Sequence, residues 1–481
     1  MNVTIVGTGY VGLVSGVCLA ARNHRVICVD VNVSIVERLN AGDTTIYERG
    51  LPQLLSEVRD AGRFSATSDL KMALNGADLV VIAVGTPSEN GMIDLTQVRR
   101  VAREIGEYLK ESDYHLSIVV KSTVVPGTTD TVVRQEIEVA SGKPFGAFGL
   151  GMNPEFLREG EAIEDFARPD RIVIGYEDEI TLRRLEELYA PWDVDKLYVN
   201  TRTAEMIKYA NNVLLATQIS AVNEIANLAA ALGDVDVLDV VRGVQLDKRW
   251  NPITKSGRVS PQILTYLVPG CGFGGSCFNK DLKALRSQGE EYGLPMRMMN
   301  AVLDVNDAQS RQVTEIITRE IGPLADRNVL VLGLAFKPGT DDVRDSTSLQ
   351  IVDAAVKAGA TVTAHDPVAI DSFKRAIGPI SQNVTFVTAW EPSVTRAEVV
   401  IVATRWPDYM RISGMDMSGK VVFDARRMFG PNEIVGARYL TIGRNMDVRG
   451  SQRKASAKLQ EMQGPVSRSI KENLPHSPVL D

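Results

Sequence analysis

The first thirty residues restrict the fold of this chain more than any other stretch. Asn2 to Val6 is an apolar, β-branched run with the composition of a buried strand, and Gly7-Thr8-Gly9-Tyr10-Val11-Gly12 follows it directly. A helical pattern then runs to about Arg22, and a second strand, Arg25 to Val29, ends at Asp30. Strand, glycine-rich turn, helix and strand in this order form a βαβ unit, whose two strands are parallel. Each glycine has a task there: Gly7 turns tightly, Gly9 leaves backbone open to a diphosphate, and Gly12 lets helix and strand pack closely. Tyr10 and Val11 open the helix whose N-terminus faces the anion, so no metal is needed. Asp30 stands about 20 residues on, where a carboxylate meets the ribose hydroxyls, and no arginine follows it to receive a 2′-phosphate. The expected cofactor is NAD rather than NADP.

The α/β alternation continues. Ala77 to Val84 is a strand entering Gly85-Thr86-Pro87, and Leu116 to Lys121 is another entering Ser122-Thr123. Thr86 and Thr123 thus sit at strand ends, where open α/β sheets bind ligands, although such threonines are more often turn residues. Gly149 to Gly151 leads into Asn153-Pro-Glu155-Phe156-Leu157-Arg-Glu159, and spacing alone reads the two glutamates as solvated acids of a capped helix. From Thr203 to Leu232 runs a long apolar helix with Lys208, Asn212, Leu215, Ile219 and Asn223 on one stripe. Its Lys and Asn either snorkel to water or point into a polar site. A second α/β unit follows, with strands at 328–334, 361–364, 399–403 and 421–423. The expected fold is α/β: two Rossmann-like parallel-sheet domains (1–200 and 311–450) joined by a long central helix and a helical middle domain (201–310). Residues 451–481, rich in Ser, Lys, Gln and Pro, read as a disordered tail.

The middle region carries Pro269-Gly-Cys-Gly272-Phe273-Gly274-Gly-Ser-Cys277-Phe-Asn-Lys280-Asp281. A thiol after a run of glycines, with a cation and a carboxylate within one turn, has the surroundings of a nucleophile. Nearby positive charge and a helix N-terminus are expected to lower its pKa. The four cysteines show neither a disulfide framework nor a metal-ligand spacing. A net charge of −7 gives no support to nucleic-acid or anionic-membrane binding. No apolar run approaches the ~20 residues of a membrane span, and the N-terminus lacks an export signal, so the expectation is a cytoplasmic protein with reduced thiols.

These motifs together resemble those of the UDP-glucose/GDP-mannose dehydrogenase family of NAD-dependent four-electron oxidoreductases, over roughly residues 1–445. The matching residues are Gly7-x-Gly9-x-x-Gly12, Gly85-Thr86-Pro87, Ser122-Thr123-Val124, Asn153-Pro-Glu155-Phe-Leu, Lys208-x-x-x-Asn212, Gly272 to Asp281, Phe336-Lys337 and Asp341 to Arg344. The resemblance implies that Cys277 is the catalytic nucleophile, that Lys208, Asn212 and Asp281 attend the reacting carbon, and that Glu155 and Thr123 position water. It implies cofactor contacts at Gly7, Gly9, Tyr10, Val11, Gly12, Asp30, Thr86, Thr123, Glu159, Lys280 and Arg344. Substrate contacts are implied at Glu155, Phe156, Leu157, Lys208, Asn212, Arg249, Tyr266, Gly272, Phe273, Gly274, Cys277, Phe336, Lys337 and Arg426, with Arg249 reaching a neighbouring subunit and Arg258 as the other candidate. The implied substrate is a sugar nucleotide and the implied assembly a homodimer or larger. Cys277-Phe278 and Ile442-Gly-Arg444 look like UDP-glucose enzymes; Asn90 to Leu95 and Ser260-Pro261 look like GDP-mannose enzymes.

Overall fold

The structure is a computed structural model that describes residues 1–89, 91–430 and 432–445. Asn90 and the expected tail at 451–481 lie outside them. The described residues form two compact units, one from Met1–Asn223 with Gln262–Ile442 and a small one from Glu224–Pro261 with residues 443–445.

The large unit holds two sheets. The first orders its eight strands Lys196–Val199, Ile172–Tyr176, Gly149–Met152, Ser117–Val120, Leu79–Ile82, Asn2–Val6, Arg25–Val29 and Phe64–Thr67. Pairing is parallel throughout except between Gly149–Met152 and Ile172–Tyr176, so Ile172–Tyr176 and Lys196–Val199 run against the rest. Leu79–Ile82 and Ser117–Val120 are buried at every position, as strands covered by helices on both faces must be. Alternate residues feed opposite cores: Leu79, Val81 and Val119 pack with Leu13 and Val17, while Val80, Ile82, Ile118 and Val120 pack with Val98, Val101 and Ile105. The second sheet is wholly parallel, in the order Val384–Phe386, Thr361–His365, Asn328–Leu332, Val399–Val402, Val421–Asp424, Arg438–Thr441. In both sheets the strand that opens the α/β unit has the next strand of the chain on one side and a later strand on the other. That reversal leaves a crevice at the carboxyl ends.

The long helix spans Thr201–Leu232. By length and composition it could cross a membrane, which corrects the sequence expectation that no apolar run comes near that length. Polar residues nonetheless occupy its packed side: Glu205, Lys208, Asn212 and Asn223 are all buried. In the small unit, Asp236 caps Val237–Gln245 by accepting from the Leu238 N–H at 2.9 Å, and a hairpin joins Ile253–Thr254 to Gly257–Arg258.

Candidate active site

The glycine loop lies at the carboxyl end of Asn2–Val6, at the reversal of strand order. Gly7 has φ +101°, and a Cβ there would lie 2.7 Å from the Ala83 carbonyl oxygen. A Cβ at Gly12 would lie 1.9 Å from the Gly7 oxygen, so the helix approaches this closely only with glycine. Gly9, the N-cap of Tyr10–Ala21, has no side-chain cap, and no atom lies within 4 Å of where its Cβ would be. Bare backbone at a helix N-terminus is what a diphosphate requires. Asp30 accepts from the Thr8 hydroxyl, from the Thr8 N–H at 3.2 Å and from the Asn32 N–H at 2.9 Å, which fixes a carboxylate beside that cradle. These residues fit a dinucleotide. Tyr10 is engaged elsewhere: its hydroxyl bonds Glu48 and accepts from the Gly160 N–H at 2.8 Å. The Thr86 hydroxyl donates to the Thr123 carbonyl at 2.8 Å, tying two strand ends together.

A cavity of about 920 Å³ in the large unit gathers Glu155, Lys208, Asn212, Cys277, Lys337 and Arg426. It falls in the upper range of small-molecule sites. Lys208 and Asn212 stand one turn apart on the long helix, and both point inward, which settles the choice that helical spacing left open. Lys208 Nζ lies 2.7 Å from Glu155 Oε1, and the two side chains are 5% and 6% exposed. Glu155 Oε2 accepts from the Leu157 N–H at 2.7 Å. Asn212 Nδ2 donates to Asp281 Oδ2 at 2.7 Å, and Lys280 Nζ to Asp281 Oδ1 at 2.6 Å. Asp281, 1% exposed, therefore reaches the cavity through Asn212. Cys277 is the N-cap of Phe278–Glu291, with Ser276 Oγ 3.5 Å from its sulfur.

Burial sets the electrostatics here. It pushes the Cys277 thiol up, against the Lys208 ammonium and the Ser276 hydroxyl, which pull it down. The expected lowering is thus corrected: the sequence supplied neighbouring charges but not the desolvation that outweighs them. Burial also works against charge on Glu155, yet Lys208, the Leu157 N–H and Lys121 together hold its carboxyl below the usual range. Lys208 is likewise disfavoured by burial but raised by Glu155, Cys277 and Asp281. Glu159, expected to be solvated, is enclosed: burial and the Asp342 carboxylate push it up to about 7, while Arg344 Nη2 lies 3.3 Å from its Oε1.

Comparison with known proteins follows this geometry closely. Three family models match in tandem: the NAD binding domain of the UDP-glucose/GDP-mannose dehydrogenase family over residues 1–193, its central domain over 202–308 and its UDP binding domain over 330–431. The chain belongs to the UDP-glucose/GDP-mannose dehydrogenase family. It is similar to a UDP-glucose 6-dehydrogenase of Rhizobium meliloti, 37% identical over 92% of this chain and all of that one. A solved UDP-glucose dehydrogenase from Pyrobaculum islandicum is 41% identical, with a TM-score of 0.83 over 92% of this chain and 97% of that one. A GDP-mannose dehydrogenase from Pseudomonas aeruginosa is 34% identical, with a TM-score of 0.51 over 91% and 99%. In this dehydrogenase each matched segment supplies part of the cavity: the first Glu155, Phe156, Leu157 and Glu159; the second Lys208, Asn212, Tyr266, Gly272, Phe273, Gly274 and Cys277; the third Phe336, Lys337 and Arg426.

Other expected residues lie outside that lining. Thr123 and Lys280 are not part of it, and Arg344 meets it through Glu159 and through its carbonyl, which accepts from the Gly275 N–H at 2.8 Å. Arg426 lines it but donates to the carbonyls of Gly272 at 2.7 Å and Ala403 at 2.8 Å. Arg249 and Arg258 belong to the small unit. There Arg249 pairs with Asp247 at 2.5 Å, and Arg258 donates to the carbonyls of Leu246 and Asn251, both at 3.0 Å. Sequence reasoning missed five cations of the lining: Lys121, Arg158, Arg168, Arg405, and Arg171, whose guanidinium lies 3.8 Å from the Phe156 ring centroid. Lys121 directly follows a strand and Arg171 directly precedes one, so for those two the signal available was a place at a strand end.

Proposed function

We propose that this enzyme oxidises UDP-glucose to UDP-glucuronate, a four-electron conversion at one carbon, with Cys277 as nucleophile. The observation that carries the reading is the meeting of Cys277, Lys208, Glu155 and Asn212 in one cavity. The names of the similar proteins support UDP-glucose as substrate. Bound NAD, held by Gly7 to Gly12 and Asp30, would supply hydride acceptance, once for each two-electron oxidation.

The chain's own residues account for the rest. The alcohol proton leaves to a base in the cavity as the alcohol becomes an aldehyde. Cys277 sulfur adds to the aldehyde carbon, and because the thiol is held neutral by burial its proton passes to the carbonyl oxygen, giving a thiohemiacetal. Lys208 and Asn212 stabilise the negative charge that develops on that oxygen. Loss of the second hydride equivalent and a proton leaves a thioester. Glu155 then takes a proton from water, the hydroxyl adds to the acyl carbon, and the C–S bond breaks; the leaving sulfur takes that proton back from Glu155 to restore the Cys277 thiol, and the acid loses its own proton to solvent and leaves as the carboxylate. Thr123, Glu159, Arg344 and Lys280 are proposed at the cofactor side, and Lys337, Arg426 and Tyr266 at the diphosphate side. The domain limits near 200 and 310, a homodimer or larger assembly through the exposed face of Thr201–Leu232, and a cytoplasmic location with all four thiols free complete the proposal.

NADH yield across a sugar-nucleotide panel tests it. Two NADH per UDP-glucose are expected, with GDP-mannose slower. One NADH per sugar, or faster oxidation of GDP-mannose, overturns the assignment.

A further inference from the structure

One buried cation in the cavity has no task in that chemistry. Lys121 follows the Ser117–Val120 strand, is 5% exposed and lines the cavity with Glu155 and Lys208. Its Nζ donates to Asn153 Oδ1 at 2.7 Å. That oxygen also accepts the Tyr189 hydroxyl at 2.5 Å, while Asn153 Nδ2 donates to the Val173 carbonyl at 2.8 Å. Asn153 is therefore fixed from two sides and holds the lysine amine at one place in the wall. The charged groups acting on that amine are Glu155 and Lys208, and the Phe166 ring centroid lies 5.9 Å from it. The Tyr189 hydroxyl, held neutral by burial, touches it only through Asn153.

Thioester hydrolysis makes two demands on Lys208 at once. It is the hydrogen-bonded countercharge of Glu155, and it faces the oxyanion that forms on the carbon bound to Cys277. When the oxyanion draws on the ammonium, its hold on Glu155 weakens, and burial then favours the protonated acid, which cannot activate water. A second positive charge prevents this. It does so best without a hydrogen bond to Glu155, because the carboxylate lone pairs are needed for water. Lys121 meets that description: its charge acts on Glu155 while its hydrogen bond goes to Asn153.

We propose that Lys121 is a positioning residue for hydrolysis of the acyl-enzyme, a second countercharge that keeps Glu155 ionised while Lys208 is engaged by the oxyanion. This rests on the four-electron reading above. The two lysines move in opposite directions: burial pushes Lys121 down to about 8, whereas Lys208 is raised by its carboxylate partner. Lys121 is thus charged at neutral pH and loses its charge within the range in which the enzyme can be assayed.

The test is the pH dependence of acyl-enzyme decay in the holoenzyme, followed after mixing with NAD and UDP-glucose by quench and mass measurement of the Cys277 adduct. Lys121→Gln drops the charge but keeps a donor for Asn153, and Lys121→Arg keeps the charge. In the Gln variant the acid limb of decay shifts upward by roughly one pH unit, as loss of a nearby opposite charge predicts. A burst of two NADH then precedes a slower steady rate, with the KM for UDP-glucose little changed. The Arg variant keeps the wild-type acid limb. Because guanidinium does not titrate below about 12, it also loses the inflection near pH 8 expected of the wild type. An unshifted acid limb in folded Lys121→Gln overturns the inference; so does persistence of that inflection in Lys121→Arg, which decides the matter even if the Gln variant does not fold. If the wild type forms no acyl adduct, the four-electron reading falls and this inference with it. If the adduct forms and both variants decay with the wild-type profile, only the role of Lys121 falls.

Discussion

Removing the ammonium of Lys208 isolates a buried carboxylate, and the cost can be worked from its surroundings. In Lys208→Met the 2.7 Å partner of Glu155 Oε1 is gone, and the remaining support is the Leu157 N–H at 2.7 Å and the charge of Lys121. Breaking a buried pair by removing one member costs about 3–5 kcal/mol, and the residual support places this site toward the lower figure, about 3 kcal/mol. Glu155→Gln/Lys208→Met, which removes both charges, should recover most of that loss. The pH dependence has a definite sign. In the wild type Glu155 is held below its unfolded value near 4.3, so its contribution is present above that value and lost as pH falls through the lower folded pKa. In Lys208→Met burial dominates and the folded pKa is raised. The group then favours folding only below about 4.3, and that contribution is lost as pH rises through the raised pKa. The gap between wild type and variant should therefore widen from pH 5 to pH 8. Urea unfolding of the apo-enzyme across that range, followed by circular dichroism, measures it. A loss under 1 kcal/mol at pH 8, a gap that narrows with rising pH, or a double variant no better than the single would refute the reasoning.

Other outcomes follow from the same geometry. Gly12→Ala places a methyl 1.9 Å from the Gly7 oxygen and should cost at least the ~1–3 kcal/mol of overpacking, with loss of NAD binding by calorimetry; unchanged affinity would contradict the cradle assignment. Glu159→Gln removes a carboxyl raised to about 7, whose contribution is present below about 4.3 and lost as pH rises through 7, so the variant should gain stability on the wild type between about pH 4.3 and 7 in urea midpoints, and level off above that. Arg249→Ala should raise the KM for the sugar nucleotide more than that for NAD, and mixing it with Cys277→Ala should restore activity if Arg249 serves a neighbouring subunit; no recovery argues for Arg258 or for an unshared site. Without substrate, Cys277 should alkylate with iodoacetamide more slowly than a free thiol at pH 7.5, because its thiolate is disfavoured; a faster reaction would contradict the raised pKa.

Local pattern carried the fold where one residue's neighbours in sequence are also its neighbours in space. The run Asn2 to Asp30 has that property, and so do the fully buried strands Leu79–Ile82 and Val399–Val402. Strands Phe64–Thr67, Ile172–Tyr176 and Lys196–Val199 were not legible. Lys196–Val199 has partly exposed residues at every position and so carries no apolar run, while Ile172–Tyr176 runs against its neighbour, which no local pattern announces. The site divides in the same way. Lys208 and Asn212 could be placed together because a helix fixes residues four apart on one face. Lys121 looked like the polar end of a strand, and only the fold brings Asn153 and Glu155 to it.

The thiol shows why adjacency in sequence misleads about charge. Lys280 stands three residues from Cys277, yet its ammonium is bound to Asp281 at 2.6 Å and the carboxylate absorbs its effect. The cation that acts on Cys277 comes from the long helix, and the desolvation that outweighs it comes from the packing of three separate segments around the loop. A neutral nucleophile in such a place is not a defect of the site. A permanent thiolate would be open to oxidation and would need a counterion throughout the cycle. A thiol that gives up its proton to the oxygen of a bound aldehyde becomes reactive only when its substrate is present, and Lys208, already charged and already placed by Glu155, stands ready for the oxyanion that follows.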